Sequence, residues 1–315
     1  MPQHFSQLKE QPFETRQRMG CGRMCEAAKM TWELLSEHAC FGGVQRFHRH
    51  ASAEIGLPMR FGLFLPPQAL VVGAPPVPLL VYLAGLTCTE ETFAIKAGAQ
   101  RLAAELGLAL LTPDTSPRGA GVAGESDGWD FGVGAGFYLD ATQAPWATHW
   151  RMETWLIDEL LPQVWAQAPV LADRTGVFGH SMGGHGALTL ALRHPGVFKS
   201  LSAFAPICAP MQCPWGQKAF AGYLGDDRSH WAAHDASALM VGQTAAPYPQ
   251  GILIDQGLAD KFLAEQLHPE AFEAACAAVN QPLTLRRHGG YDHGYYFITS
   301  FIDEHLRHHA RQLGR

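Results

Sequence analysis

The sequence of 315 residues lacks a strong excess of charge and any paired cysteine motif. Its formal net charge is -6, from 23 Lys and Arg against 29 Asp and Glu. Nucleic-acid-binding domains usually carry a basic patch, so this balance predicts no nucleic-acid partner, and it gives no attraction to an anionic membrane. The seven cysteines are irregularly spaced and include no C-x-x-C pair. A disulfide framework is therefore not expected, and reduced thiols in a cytoplasmic protein fit this usage better.

The sequence also lacks an apolar run long enough for a membrane span. The most apolar stretch, residues 69–86, is broken by Pro75, Pro76 and Pro78, whereas a transmembrane helix needs about 20 consecutive apolar residues. Residues 1–30 are polar, without a clear periodicity or the apolar core of a secretory signal. We predict that they form a poorly ordered extension and that residues 31–315 form a single domain.

Short apolar runs alternate with stretches of helical spacing from about residue 58 onward. Strands are predicted at 59–65, 79–83, 109–112, 175–178, 201–204, 251–254 and 283–286, and helices at 93–106, 152–165, 183–193, 269–279 and 296–312. This alternation predicts an α/β fold, with a mostly parallel central sheet and helices on both faces. Sites in such sheets form at the carboxyl ends of strands. Residues 114–147 exceed the usual length of a connection and are therefore a functional candidate.

Residues 179–183 read GHSMG and match the G-x-S-x-G pattern of a nucleophile elbow. The pattern alone is weak in a chain with 33 glycines, but its flanks are specific. A β-rich run at 175–178 precedes it and a helix-forming run at 187–192 follows it, which is the strand–turn–helix context that an elbow requires. The start of the helix also favours negative charge that develops beside the serine. We therefore predict that Ser181 is a catalytic nucleophile.

A serine nucleophile needs a histidine base that is oriented by a carboxylate, in the chain order Ser, acid, His. Two acids follow the predicted strand at 251–254: Asp255 at its end and Asp260 in the loop beyond. A loop acid reaches a histidine more easily, so position favours Asp260, and Asp255 would support the loop by local hydrogen bonds. His293 lies in a glycine-rich loop before the last helix and is the natural base, whereas its competitor, His288, lies nearer to a strand end.

The remaining histidines near these motifs have simpler interpretations. His180 and His185 are expected to pack the elbow, with their polar atoms satisfied. His305, His308 and His309 have the i, i+3 and i+4 spacing of a helical metal site, but no upstream ligand pattern accompanies them. We predict a solvated terminal helix at these positions and no metal.

The tetrahedral intermediate of acyl transfer needs backbone N–H donors for its oxyanion. Met182, directly after the nucleophile, should supply one. The other should come from the loop after the predicted strand 79–83, where Gly85 permits a turn that presents the N–H of Leu86. Residues 128–138 concentrate aromatic side chains among glycines. A hydrophobic cluster under the long loop and a wall of the substrate pocket would both account for them, and the two are compatible.

Together these residues resemble the S-formylglutathione hydrolase family, also called esterase D. The resemblance covers nearly the whole chain from about Leu34 and rests on segments more specific than the nucleophile motif. They are EHACFGG at 37–43, LAGLTCTE at 83–90, TPDTSPRG at 112–119, WDFG at 129–132, GFY at 136–138, GHSMGGHG at 179–186, CPWGQKAF at 213–220, DQG at 255–257 with Asp260, and YDHGYY at 291–296. The chain departs from the family pattern at Ala84 and Gly294, where serines are expected, and its first thirty residues have no counterpart.

The resemblance implies an α/β-hydrolase fold and hydrolysis of the thioester S-formylglutathione to glutathione and formate through an acyl-serine. It assigns the nucleophile to Ser181, the acid to Asp260 and the base to His293, and it places a family cysteine at Cys88, beside the oxyanion loop. No cofactor is implied, and family members are commonly homodimers. The alternative is a general short-chain carboxylesterase with the same triad and a different pocket.

Overall fold

A computed structural model describes residues 32–315 of the chain. Their strands are β1 Glu33–Cys40, β2 Gly43–Ala51, β3 Pro58–Leu65, β4 Val77–Leu83, β5 Ala109–Pro113, β6 Val170–His180, β7 Leu201–Phe204, β8 Ile252–Gly257 and β9 Leu283–His288. They form one sheet in the order β1-β2-β3-β5-β4-β6-β7-β8-β9. Neighbouring strands in the run β5-β4-β6-β7-β8-β9 pair in parallel. The pairs β1–β2, β2–β3 and β3–β5 are antiparallel. The predicted mostly parallel sheet is confirmed, whereas the predicted extension at 1–30 lies outside the described residues.

The helices are α1 Glu90–Lys96, α2 Gln100–Leu106, α3 Met152–Thr154, α4 Leu161–Gln167, α5 Met182–Arg193, α6 Pro214–Leu224, α7 Ala236–Val241, α8 Pro269–Ala278 and α9 Tyr295–Gln312. A π-helical segment, Trp155–Leu160, joins α3 to α4. The single helix predicted at 93–106 is instead two helices, because Gly98 between them has a φ of 68°, a left-handed conformation that interrupts a helix. None of the described helices is both long and apolar enough to cross a membrane.

Helices cover both faces of the sheet, and β7 shows how. Ser202 and Phe204 point towards α9, since Ser202 Oγ lies 2.8 Å from His309 Nε2 and the Phe204 ring stacks on His305 at 3.7 Å between centroids. Side chains alternate along a strand, so the residues between them point to the other face, where α5 packs against β6 and β7. The central strand β4 is buried at every residue, as expected for a strand covered on both faces.

The sheet begins earlier in the chain than the sequence predicted. β1 and β2 form an antiparallel hairpin around Phe41 and Gly42, whose φ values of 49° and 76° are both positive. His48 and His50 of β2 are buried, and His50 Nε2 accepts a hydrogen bond from Trp155 Nε1 at 3.0 Å. Because β2 is rich in polar residues, its sequence did not predict a strand that is covered on both faces.

The prediction of a solvated terminal helix is wrong, because His305, His308 and His309 are all buried against the sheet. His305 Nδ1 and His309 Nε2 both lie 2.8 Å from Ser202 Oγ, and His305 Nε2 lies 3.2 Å from Asp255 Oδ2. The helical spacing places the three rings on one face, and that face packs on the strands. Across the described part of the chain, no group of three His, Cys, Asp or Glu side chains is placed to hold a metal ion.

Candidate active site

Ser181 lies at the turn between β6 and α5, at the carboxyl edge of the sheet. Its backbone has a φ of 57° and a ψ of -119°, a strained conformation that costs about 1–3 kcal/mol and persists only where the surroundings hold it. Gly183 permits the turn, since a Cβ there would lie 1.9 Å from Leu83 O. The Ser181 N–H donates to Phe204 O at 3.0 Å, which ties the turn to β7. This strained strand-to-helix turn is the geometry of a nucleophile elbow.

His293 and Asp260 form a direct hydrogen-bonded pair. His293 Nδ1 lies 2.5 Å from Asp260 Oδ2, and the Asp260 side chain is fully buried. The second carboxylate oxygen accepts from the Phe262 N–H at 2.9 Å, and the Ala259 N–H donates to Tyr291 O at 2.9 Å, which ties the two loops together. Since an ionised carboxylate only accepts hydrogen bonds, Nδ1 carries the proton and Nε2 is left as the basic nitrogen.

Ser181 and His293 line the same cleft, together with His180. Within residues 32–315 no hydrogen bond joins the Ser181 hydroxyl to His293, a bond that is often long before substrate binds. The His180 ring packs on His293 at 4.4 Å between centroids. Its ring nitrogens and Nδ1 of His185 have no well-formed side-chain or backbone hydrogen bond to the described residues. Burial and the nearby His293 ring lower the pKa of His180 well below its ordinary value, which keeps it neutral.

Asp255 and His288, the competing acid and base, do not join this pair. The Asp255 carboxylate accepts two hydrogen bonds from Arg286, at 2.6 and 2.5 Å. Burial alone would raise the pKa of Asp255, but hydrogen bonds from His305 and Arg286 outweigh it and hold the pKa well below its ordinary range. His288 stacks on Phe301 at 3.8 Å between centroids. The prediction that Asp255 supports the acid loop is wrong, since it anchors β9 and α9 to β8.

The backbone N–H groups of Leu86 and Met182 lie on the two segments that flank Ser181. Gly85 packs against the nucleophile, where a Cβ would lie 3.2 Å from Ser181 Cβ, and Leu86 follows it in the cleft lining. Thr87 has a φ of 67° and donates its N–H to a carbonyl of the long loop at 2.9 Å. Met182 is the first residue of α5, where N–H groups have no acceptor within the helix. Both segments can therefore offer donors beside the nucleophile.

The cleft has a volume of about 210 Å³ and mostly aromatic walls. Trp129, Trp215, Phe262 and Tyr295 all line it. The Trp215 ring contacts those of Trp129 and Phe262 at centroid distances of 5.5 and 4.7 Å, and the Phe262 ring lies edge-on to His293 at 5.0 Å. Sequence reasoning did not assign Phe262 or Tyr295 to the cleft. The only local signal is that each lies two residues from a predicted triad member.

The long glycine-rich loop has both of its expected roles. Trp129 forms a wall of the cleft and remains 54% exposed at its rim. Phe131 instead packs inside, on Tyr223 and Trp146 at centroid distances of 4.4 and 4.8 Å. One end of the aromatic segment therefore faces the cleft, and the other packs inside the loop.

Known proteins share this sequence and architecture. A family model described as "Putative esterase" matches residues 52–308. The S-formylglutathione hydrolase of Rattus norvegicus is 50% identical over 286 residues, which cover 90% of this chain and 99% of the relative. The chain belongs to the S-formylglutathione hydrolase family. A bovine S-formylglutathione hydrolase, from Bos taurus, matches equally, with 50% identity over 286 residues.

A solved structure agrees with membership of the S-formylglutathione hydrolase family. An S-formylglutathione hydrolase from Agrobacterium tumefaciens has a TM-score of 0.86 to this chain at 45% identity, covering 90% of this chain and 100% of the other. The fluorophosphonate-binding serine hydrolase FphF of Staphylococcus aureus, at 20% identity and a TM-score of 0.68, shares the fold alone. The predicted α/β-hydrolase fold is confirmed, and the chain is a hydrolase.

Cys88 lines the cleft, at the edge of the site where the sequence placed it. Burial raises the pKa of its thiol, and the thiolate is the form that reacts with electrophiles. We expect a maleimide to inactivate the enzyme slowly at pH 7 and faster at pH 9, because the adduct would obstruct the cleft. Bound substrate should slow this loss. Residual activity against time at each pH measures the rate.

The matched variant is Cys88→Ser, which removes the reactive group and keeps a small polar side chain. It should retain most activity and lose the sensitivity, because the proposed chemistry does not use the sulfur. A folded but inactive Cys88→Ser enzyme would instead show a direct role for the thiol. Undiminished sensitivity of the variant would place the reactive cysteine elsewhere.

Proposed function

We propose that Ser181, His293 and Asp260 form a catalytic triad that hydrolyses S-formylglutathione to glutathione and formate. The observation that carries this proposal is the hydrogen bond between His293 and Asp260, in the same cleft as a serine on a strained elbow. The substrate is taken from the family, since the rat and Agrobacterium tumefaciens relatives are named S-formylglutathione hydrolases.

The first half-reaction acylates the serine. His293 Nε2 takes the hydroxyl proton as Ser181 Oγ attacks the formyl carbon, and the buried Asp260 carboxylate stabilises the imidazolium that forms. The N–H groups of Leu86 and Met182 donate to the oxyanion of the tetrahedral intermediate. When the intermediate collapses, the C–S bond breaks and His293 returns its proton to the departing sulfur, which releases glutathione.

The second half-reaction releases formate. His293 takes a proton from a water molecule as the water oxygen attacks the formyl-serine, and it then protonates Ser181 Oγ as the acyl–oxygen bond breaks. The thioester suits this scheme, because a thiol with a pKa of about 8.5 leaves more readily than an alcohol. The cleft volume of about 210 Å³ also suits a small acyl group.

The test is a comparison of kcat/KM for S-formylglutathione with that for p-nitrophenyl acetate. We expect the thioester to be favoured by about 100-fold or more, a difference that a few specific contacts can supply. Ser181→Ala provides the background rate, since formyl thioesters also hydrolyse without an enzyme. Equal or higher kcat/KM for the aryl ester would instead support a general short-chain carboxylesterase.

The proposal includes a cytoplasmic homodimer. The five cysteines in the described part of the chain are all free thiols, as expected in a reducing compartment. The homodimer is taken from the family resemblance alone. Light scattering on the purified protein would test it, and a monomer mass would contradict it.

A further inference from the structure

The leaving group of the proposed reaction carries charged groups that the triad residues do not bind. Glutathione is a tripeptide whose γ-glutamyl end bears an ammonium and a carboxylate on one carbon, and whose glycyl end bears a second carboxylate. A protein site for the γ-glutamyl end therefore needs a cation and an anion side by side. The inference below rests on the proposed function, because it names a site for this substrate.

Such a pair is formed by two residues close in the chain to Trp129 and Trp215, which line the cleft. Lys218 Nζ contacts Asp130 Oδ1 at 2.5 Å, and the two side chains are 49% and 18% exposed. The pair sits over Gly128, where a Cβ would lie 3.3 Å from Asp130 Oδ1 and 3.7 Å from Lys218 Nζ. The lysine is therefore half exposed, whereas the carboxylate is mostly covered but retains some contact with solvent.

Both partners are coupled to cleft walls. Asp130 directly follows Trp129 in the chain. Lys218 lies three residues after Trp215 in α6, so the side chains of Lys218 and Trp215 lie on the same side of that helix. Trp129 and Trp215 contact each other and both line the cleft with Ser181. The γ-glutamyl α-carbon lies seven bonds from the sulfur, about 8 Å when extended at roughly 3.3–3.6 Å per three backbone bonds. With the sulfur at the nucleophile, the γ-glutamyl end can extend along the cleft wall that the two tryptophans form.

The pair also has unused hydrogen-bonding capacity. Lys218 carries three N–H donors, of which one contacts Asp130. Asp130 Oδ2 accepts no hydrogen bond within the described residues, so it can receive the substrate ammonium. Lys96 and Lys261 also lie near the cleft, over the rings of Tyr295 and Phe262. Neither lysine forms an ion pair with a described carboxylate. Each could therefore bind a single substrate carboxylate, but neither offers the adjacent anion that the γ-glutamyl ammonium needs.

We propose that Asp130 and Lys218 bind the γ-glutamyl end of glutathione, with Asp130 receiving its ammonium and Lys218 its carboxylate. As a purely structural ion pair, this exposed contact would contribute little to stability. As a substrate contact, it would distinguish glutathione from thiols that lack the γ-glutamyl charges. The pair is therefore a specificity determinant and not part of the proton-transfer machinery.

The experiment compares two substrates on each variant. They are S-formylglutathione and S-formyl-N-acetylcysteinylglycine, which keeps the thioester, the amide and the glycyl carboxylate but lacks the γ-glutamyl charges. The measured quantity is the ratio of their kcat/KM values. Lys218→Gln should lower this ratio about tenfold, as expected for loss of one charge-assisted contact. Lys218→Arg keeps the charge and should restore most of the ratio.

Lys199→Gln is the matched control. Lys199 is an exposed lysine at the amino end of β7, where its Nζ donates to Gly196 O at 2.6 Å, and its loss should not change the ratio. A folded Lys218→Gln enzyme with an unchanged ratio would overturn the proposal, as would a loss caused by Lys261→Gln and not by Lys218→Gln. If the unmodified enzyme hydrolyses both thioesters poorly relative to aryl esters, the proposed function itself fails, and this assignment fails with it.

Discussion

Ser181→Ala is expected to lower kcat for S-formylglutathione by about four to six orders of magnitude. His293→Ala should cost about as much, because the members of a triad act as a unit, and loss of the nucleophile or of the base stops the same step. The remaining rate should come from substrate binding and the oxyanion donors alone. Single-turnover rates would measure the loss, and thermal melting would confirm that both variants fold.

The two candidate acids are separated by a pair of asparagine variants. Asp260→Asn removes the negative charge that orients His293, and it should lower kcat by about 10⁴-fold with little change in stability. Asp255→Asn removes the partner of Arg286, and breaking such a buried pair should cost about 3 kcal/mol of unfolding free energy while kcat is largely kept. If the folded Asp255→Asn enzyme loses more activity than Asp260→Asn, the assignment of the acid is wrong.

Acid should destabilise the protein between pH 7 and pH 5. Burial lowers the pKa of His48 and His308 to about 4 and that of His185 to about 3, from an ordinary value of about 6.5. Below about pH 6.5 the unfolded chain therefore binds more protons than the folded chain. The free energy of unfolding is highest above that pH and falls as the pH drops. At pH 5 each of the three groups lowers the free energy of unfolding by about 2 kcal/mol. Glu90, whose pKa burial raises to about 7, offsets about one of these losses, since its folded form binds a proton more tightly.

The measurement is the unfolding free energy in urea at pH 7 and pH 5, with a matched pair of variants. The His48 ring stacks on Phe61 at 5.2 Å between centroids, so His48→Phe keeps an aromatic ring there and should reduce the difference between the two pH values by about 2 kcal/mol. His230 is 69% exposed at its side chain, and His230→Gln should leave the difference unchanged. Equal stability at both pH values would contradict the proposed cause.

Local signals in the sequence were sufficient for the elbow and for most parallel strands. Strand β6, Ser181 and helix α5 follow one another directly in the chain, so residue type and spacing indicate the whole unit. Strand β2 gave no such signal, because its sequence GVQRFHRHA alternates neither by polarity nor by size. Its histidines are buried by the aromatic rings of Phe61 and Trp155, and contacts with such distant residues are not visible in a local window.

The buried network around Asp255 was missed for the same reason. Asp255 and His305 are 50 residues apart in the chain, and His309 meets Ser202 across 107. A polar residue is expected at the surface unless its partners are known, and these partners come together only when α9 packs on the sheet. The pairing of Asp260 with His293 was easier to anticipate, since Asp260 follows a strand in the chain order that serine hydrolases of this fold use.

The small cleft has a consequence for the fate of the formyl group. Its volume of about 210 Å³ is below the roughly 300 Å³ at which pockets begin to enclose a whole drug-sized ligand. Part of the tripeptide would therefore lie outside the cleft, and its departure would open a path from the bulk solution to a formyl group on the buried Ser181. Small alcohols and thiols would then compete with water for the formyl group, so the balance between hydrolysis and transacylation depends on which solutes surround the enzyme.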